Sequence, residues 1–87
     1  MKSVATPEFW DCYRRLPPAV RARARAAYRL WSADRRHPSL RFKPVSADGG
    51  IWSVRIGLSW RALGVVEDET VIWFWIGSHA DYDRLLG

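Results

Sequence analysis

The segment Thr70 to Ile76 reads TVIWFWI, apolar at both parities of an alternating backbone. Successive side chains of a strand point to opposite faces, so such a run needs cover on both faces and a strand on each side. It is expected at the centre of a sheet. A chain of 87 residues holds one core and one active surface, so residues 1–87 are expected to form a single domain. The six Trp, three Phe and three Tyr are read first as core, because a domain this small depends on each large apolar side chain it buries.

Upstream of that strand the chain changes period. Thr6-Pro7-Glu8 starts a helix: Thr caps, Pro suits the first helical position and Glu faces the positive end of the dipole. Phe9, Tyr13 and Leu16 then share a face, and Pro17-Pro18 ends this helix and begins another. The second helix is expected from Ala19 to Arg36, with Val20, Ala24, Ala27 and Trp31 forming an apolar stripe. Arg21, Arg25, Arg29 and Arg36 lie on its other side, either as a solvated face or as a binding surface. After Pro38 the pattern alternates: Leu40, Phe42 and Pro44 against Arg41 and Lys43 predict an extended segment. Ile51–Ile56 and Trp60–Val66 predict a hairpin around Gly57-Leu58-Ser59, and Glu67-Asp68-Glu69 an acidic turn. Ser78, with Asp81 reaching back, is expected to cap a terminal helical turn on which Leu85 and Leu86 pack.

The 14 Lys and Arg against 9 Asp and Glu give a net charge of +5, and only Lys2 and Lys43 are lysines. An arginine surplus suits nucleic acid or an acidic protein partner, because guanidinium binds phosphate bidentately and stacks on bases. Cys12 is the only cysteine, which excludes an internal disulfide. With no apolar run long enough for a membrane span and no secretion-signal layout at the start, the expectation is a cytoplasmic protein without a membrane partner.

Arg55 shares a face with Ser53 on the first hairpin strand, and Arg61 follows Trp60 on the second, so rigid strands offer a pair of cations that Lys43 can extend. Such a group stabilises charge growing on a phosphoryl oxygen; equally, each Arg can lie over an aromatic or pair with Glu67 or Asp81. His79, at the start of the terminal turn, can exchange a proton near neutral pH or be a surface hydrogen-bonding group. Tyr82 can stack on a base or lock the turn onto the sheet. Neither a metal site nor a cofactor is expected: two His and one Cys are scattered, and GxxxxGK[ST] and GxGxxG are both missing. Ser78, His79 and Asp81 are too close along one turn to converge as a hydrolase triad.

The LP turn at Leu16-Pro17, HPSLRFK from His37 to Lys43, SVRIG from Ser53, WRALG from Trp60 and WFWIGSHADYD from Trp73 to Asp83 together resemble the RelE/ParE superfamily, toxins of type II toxin-antitoxin systems. The resemblance implies an α+β fold: an N-terminal helical hairpin packed on a small antiparallel sheet of three to four strands, with a short C-terminal helical turn and a leading strand of at most a few residues around Ser3 to Ala5. It implies a ribosome-dependent mRNA endonuclease that directs a ribose 2′-hydroxyl onto its adjacent phosphate without metal. In that role Arg61 and Arg55 match catalytic basic positions and His79 the acid or base. Lys43, Arg41 and Tyr82 would contact the RNA. The implied partners are a cognate antitoxin protein, mRNA on the ribosome and, through the antitoxin complex, operator DNA. Ser53 stands where some RNA-cleaving relatives have a second lysine, so two alternatives stay open: a non-enzymatic DNA gyrase inhibitor of the ParE kind, and an antitoxin-binding module acting on operator DNA.

Overall fold

The computed structural model describes residues 1–86. Strand β1 (Lys2–Ala5) leads into helices α1 (Pro7–Arg14) and α2 (Pro18–Ala33), a 3₁₀ turn at Pro38–Leu40, and strands β2 (Lys43–Pro44), β3 (Ile51–Ile56), β4 (Trp60–Glu67) and β5 (Thr70–Ser78); α3 (His79–Leu86) closes the chain. The strands form one sheet in the order β1-β5-β4-β3-β2. β1 runs parallel to β5 and every other pair is antiparallel, so the sheet is mixed and has five strands where three to four antiparallel ones were expected. The α+β class and its RelE/ParE-like layout hold. β5 has a strand on each side, as its two apolar faces require, but the middle strand is β4: the short β1 adds an outer neighbour that the run itself cannot reveal.

The local signals act as expected at most helix ends. Thr6 Oγ1 accepts a 3.2 Å hydrogen bond from the Phe9 amide. The Pro17 carbonyl opens α2 by accepting from the Val20 and Arg21 amides, at 2.9 and 3.0 Å. α2 stops at Ala33 and does not reach Arg36: Asp34 is extended (φ −155°) and its carboxylate accepts from the Arg36 amide at 3.1 Å, a local bond that competes with helix. Arg36 therefore leaves the helical arginine face. The stretch after Pro38 is a 3₁₀ turn capped by His37 Nδ1, and Arg41 ends it in the left-handed region (φ 44°), so extension begins only at Lys43. At the other end Ser78 Oγ accepts from the Asp81 amide at 3.1 Å, but the Asp81 carboxylate turns to Arg84 instead of reaching back. Leu85 and Leu86 are exposed, contrary to expectation: α3 packs on β4 and β5 and buries none of its described residues.

One face of the sheet carries the helices. Leu16, Val20, Ala24 and Trp31 meet Leu40, Val54, Ile56, Ala62, Val71, Trp73 and Ile76 in a single buried cluster. Trp31 stands edge-on to Trp73 at 5.6 Å and to Phe42 at 5.7 Å, a favoured aromatic geometry. In β5 the core positions run Val71, Trp73, Ile76, a step of two and then three. The step of three marks a bulge: Leu63 pairs with Trp75 and Gly64 with Trp73, so β5 has one residue more than β4 here. Gly64, whose register partners are Trp52 and Trp73, leaves room for Val71 and Trp73; a Cβ there would lie 2.6 Å from Val71 Cγ2 and 3.0 Å from Trp73 Cε3. Gly64→Ala should therefore cost about 1–3 kcal/mol by overpacking. Urea unfolding checks this, and an unchanged midpoint would show that the core does not rely on the glycine.

Candidate nucleic-acid interface

The bulge separates two tryptophans that share a parity in sequence. Trp73 enters the core beneath the helices; Trp75, partner of Leu63, lies outside that cluster, half-buried. Leu63 pairs in turn with Ser53 and Ser53 with Lys43, so this second face carries Lys43, Ser53, Leu63 and Trp75 across four strands. The next row on the same face holds Arg55, Arg61 and Gly77. The Trp75 indole lies over Gly77, where a Cβ would come within 2.6 Å of the ring. Hydrophobic pattern alone places Trp75 in the core, because alternation cannot locate a bulge.

Arg55 and Arg61 are direct cross-strand partners. Like charges so placed repel, yet among the described residues the salt bridges are Arg14–Asp11, His79–Asp83 and Arg84–Asp81, and none reaches this pair. Arg55 Nε donates to the Gly57 carbonyl at 3.0 Å. Arg61 Nη1 donates to Ser53 Oγ at 3.2 Å, its Cζ lies 5.3 Å from the centre of the Tyr82 ring, and its Nε is buried without a partner. Ser53 is fully buried. It positions Arg61.

α3 brings the remaining groups. The His79 amide donates to the Ser59 carbonyl at 2.7 Å, tying the start of the helix to the β3–β4 turn. The His79 ring packs 5.6 Å from Tyr82, and its Nδ1 lies 3.1 Å from Asp83 Oδ2. Tyr82 thus touches both Arg61 and His79 and joins them in one group. Lys43 is exposed on β2, opposite Ser53. Arg41 is exposed at the end of the 3₁₀ turn, and among the described residues its side chain makes no hydrogen bond to the group.

The helical arginines behave differently from a uniform charged face. Arg21 Nη1 donates to the Leu16 carbonyl at 2.6 Å and Arg25 Nη1 to the Tyr13 hydroxyl at 2.7 Å, so both brace the link between α1 and α2. The two helices lean on different strands, α1 on β5 and α2 on β3. Between them opens an apolar cleft of about 530 Å³ whose walls include Trp10, Tyr13, Tyr28 and Trp31 and whose floor reaches Trp73. Val4, Trp10 and Tyr28 are 53%, 45% and 48% exposed along it, with Arg25 and Arg29 at its rim.

A family model described as the ParE-like toxin domain matches residues 18–84. The chain belongs to that family, within the RelE/ParE superfamily of toxins of toxin-antitoxin systems. Among solved structures it is similar to the YoeB/ParE toxin from Agrobacterium tumefaciens, at 22% identity over 91% of this chain and 99% of that one, with a TM-score of 0.69. A chain of the RelB-RelE antitoxin-toxin complex from Methanococcus jannaschii superposes with a TM-score of 0.75 at 13% identity, covering 97% and 99% of the two chains. For these two the likeness is one of fold. A chain of the RelBE2 toxin-antitoxin complex from Mycobacterium tuberculosis is 26% identical, covers 92% of each chain and has a TM-score of 0.62. No curated protein matches the sequence.

An unpaired like-charge couple is a cost to the fold. Arg55→Gln should leave stability unchanged or raise it by a few tenths of a kcal/mol at low salt, and any gain should shrink as salt screens the repulsion. Denaturant titration at two ionic strengths reads this; a loss above about 1 kcal/mol would make Arg55 a structural residue.

Proposed function

We propose that this toxin is a ribosome-dependent mRNA endonuclease. The observation that carries the reading is the facing pair Arg55 and Arg61, free of carboxylate partners among the described residues, with His79 joined to it through Tyr82. A scissile phosphate seated on the pair has its non-bridging oxygens beside two guanidiniums, which favour the extra negative charge of the pentacoordinate transition state. The ribose 2′-hydroxyl forms a bond to phosphorus and gives up its proton to a base; the bond from phosphorus to the 5′-oxygen breaks and that oxygen takes a proton. His79 performs one of these transfers, and Asp83 beside its Nδ1 orients the ring. Lys43 and Arg41 hold the neighbouring backbone, and Tyr82 or Trp75 offers a surface for a base. No step assigned to these side chains calls on a cofactor.

The test is induced expression without any antitoxin, followed by mapping of RNA ends and by cleavage on purified ribosomes. Cuts within translated codons should leave 5′-hydroxyl ends. Arg61→Ala and His79→Ala should each slow cleavage by about 10²–10³-fold; variants that cut as fast as the parent would refute the assignment. A second reading, non-enzymatic inhibition of DNA gyrase, is favoured by Ser53, which leaves this face one cation short of some RNA-cleaving relatives. Inhibition of supercoiling in a purified system, with RNA intact, would replace the first reading by the second.

The restraining partner is proposed to be an antitoxin with an amphipathic acidic segment. The cleft between α1 and α2 suits it: an apolar floor, exposed Val4, Trp10 and Tyr28, and the Arg25 and Arg29 rim complement an apolar helix face flanked by carboxylates. Trp10→Asp should weaken binding to the antitoxin by at least tenfold, as loss of a central aromatic anchor does. Calorimetry on the purified pair reads the affinity, and unchanged binding would place the antitoxin elsewhere. Operator DNA, if contacted through such a complex, has Arg29 more than Arg21 or Arg25 to meet, since those two brace the hairpin.

A further inference from the structure

The β3–β4 turn brings a third arginine to the cation pair. Gly57 sits in the left-handed region (φ 60°) and is exposed. Its carbonyl accepts from Arg55 Nε. On its other side, a Cβ at Gly57 would lie 3.8 Å from Arg23 Nη1 and 4.0 Å from Arg23 Cδ, so the α2 side chain of Arg23 lies along the glycine. Arg23, Arg55 and Arg61 thus form a line from α2 around the tip of the hairpin to the sheet face. None of the salt bridges among the described residues engages Arg23. Beside the line is a hollow of about 410 Å³ lined by Ala26, Leu30, Leu58 and Arg55. Leu58 at its edge is 81% exposed.

We propose that Arg23 is a second phosphate contact: single-stranded RNA leaving the Arg55–Arg61 pair passes over Gly57 onto Arg23, with a flanking base turned toward the Leu58 hollow. The proposal rests on the RNA reading of the pair. Cations spaced along a path suit a polyanion more than a lone phosphate, and an apolar hollow beside them suits a strand whose bases are free to turn outward. Glycine at the tip serves the same path, since any side chain there would be strained at this φ. Sequence periodicity placed Arg23 neither on the apolar stripe nor on the Arg21, Arg25 and Arg29 row, and only the packing of α2 against the hairpin tip gives it this neighbour.

The experiment compares the full chain with Arg23→Gln and with Arg36→Gln, an exposed cation that neither lines the hollow nor shares the Arg55–Arg61 row. Fluorescence anisotropy, without ribosomes, measures binding of a dinucleotide and of a single-stranded RNA of about ten nucleotides over a range of salt. Arg23→Gln should weaken binding of the longer RNA by about three- to tenfold and reduce the slope of log K against log salt by about 0.7, the loss of one phosphate contact. The dinucleotide, which reaches only the pair, should bind Arg23→Gln and the parent alike. The proposal is overturned if Arg23→Gln and Arg36→Gln behave identically, if the dinucleotide loses as much as the longer RNA, or if the parent binds neither. Cleavage on ribosomes is scored separately. Codon-positioned cuts by the parent, together with any of those overturning results, would remove Arg23 from the path and leave the cleavage reading standing.

Discussion

The bulge in β5 opposite Leu63 and Gly64 is the constraint on which the two faces of the sheet depend. Without the extra residue, Trp73 and Trp75 would point the same way and crowd the helix-facing core. With it, Trp73 enters the core against Trp31 and Phe42, and Trp75 stays on the other face, over Gly77 and next to the Arg61 row. Gly64 completes the arrangement by leaving Val71 and Trp73 the space its own side chain would need. Glycine in a strand interior forfeits packing and chain entropy, and flanking aromatic rings recover part of that loss.

The helix-packed cluster lies on one face; on the other, Leu63 and Ser53 are buried but Lys43, Arg55 and Arg61 bring charge. Arg55 and Arg61 face each other across two strands whose register is fixed by the hairpin and by the buried Val54, Ile56 and Ala62 beneath. A one-residue slip would turn these cations into the core, so the charge pair is held where it repels itself by the same burial that stabilises the domain. Ser53 and Tyr82 then set where the Arg61 guanidinium points. Folding supplies this arrangement before any ligand arrives, which is the condition under which fixed charge acts most strongly on a reacting phosphate.

Legibility followed the range of the interactions. Thr6, Pro17, Pro18, Gly57 and the two-residue periodicity of the hairpin act through neighbours a few residues away, and the elements they mark were readable. Asp34 shows the limit: an aspartate within a helical pattern signals an end only when its carboxylate finds the amide two residues on, as it does here with Arg36. β1 escaped notice as a full partner because four residues carry little pattern and its pairing with β5 spans almost the whole chain. Leu85 and Leu86 read as packing residues on hydrophobicity alone, but the terminal helix buries none of its described residues.

At the candidate site the same division holds. The sequence alone determined the class of fold, the family, the hairpin that sets Arg55 opposite Arg61, and the place of His79 just beyond the last strand, because each follows from local propensity, binary pattern or motif. Tertiary structure decided that Trp75 faces the cations, that Ser53 and Tyr82 hold Arg61, that Arg21 and Arg25 brace the helices, and that Arg23 meets Gly57. All of these join segments distant in sequence or depend on a one-residue bulge. Hydrophobic pattern specifies which side chains must leave water, and the three-dimensional packing then selects their neighbours.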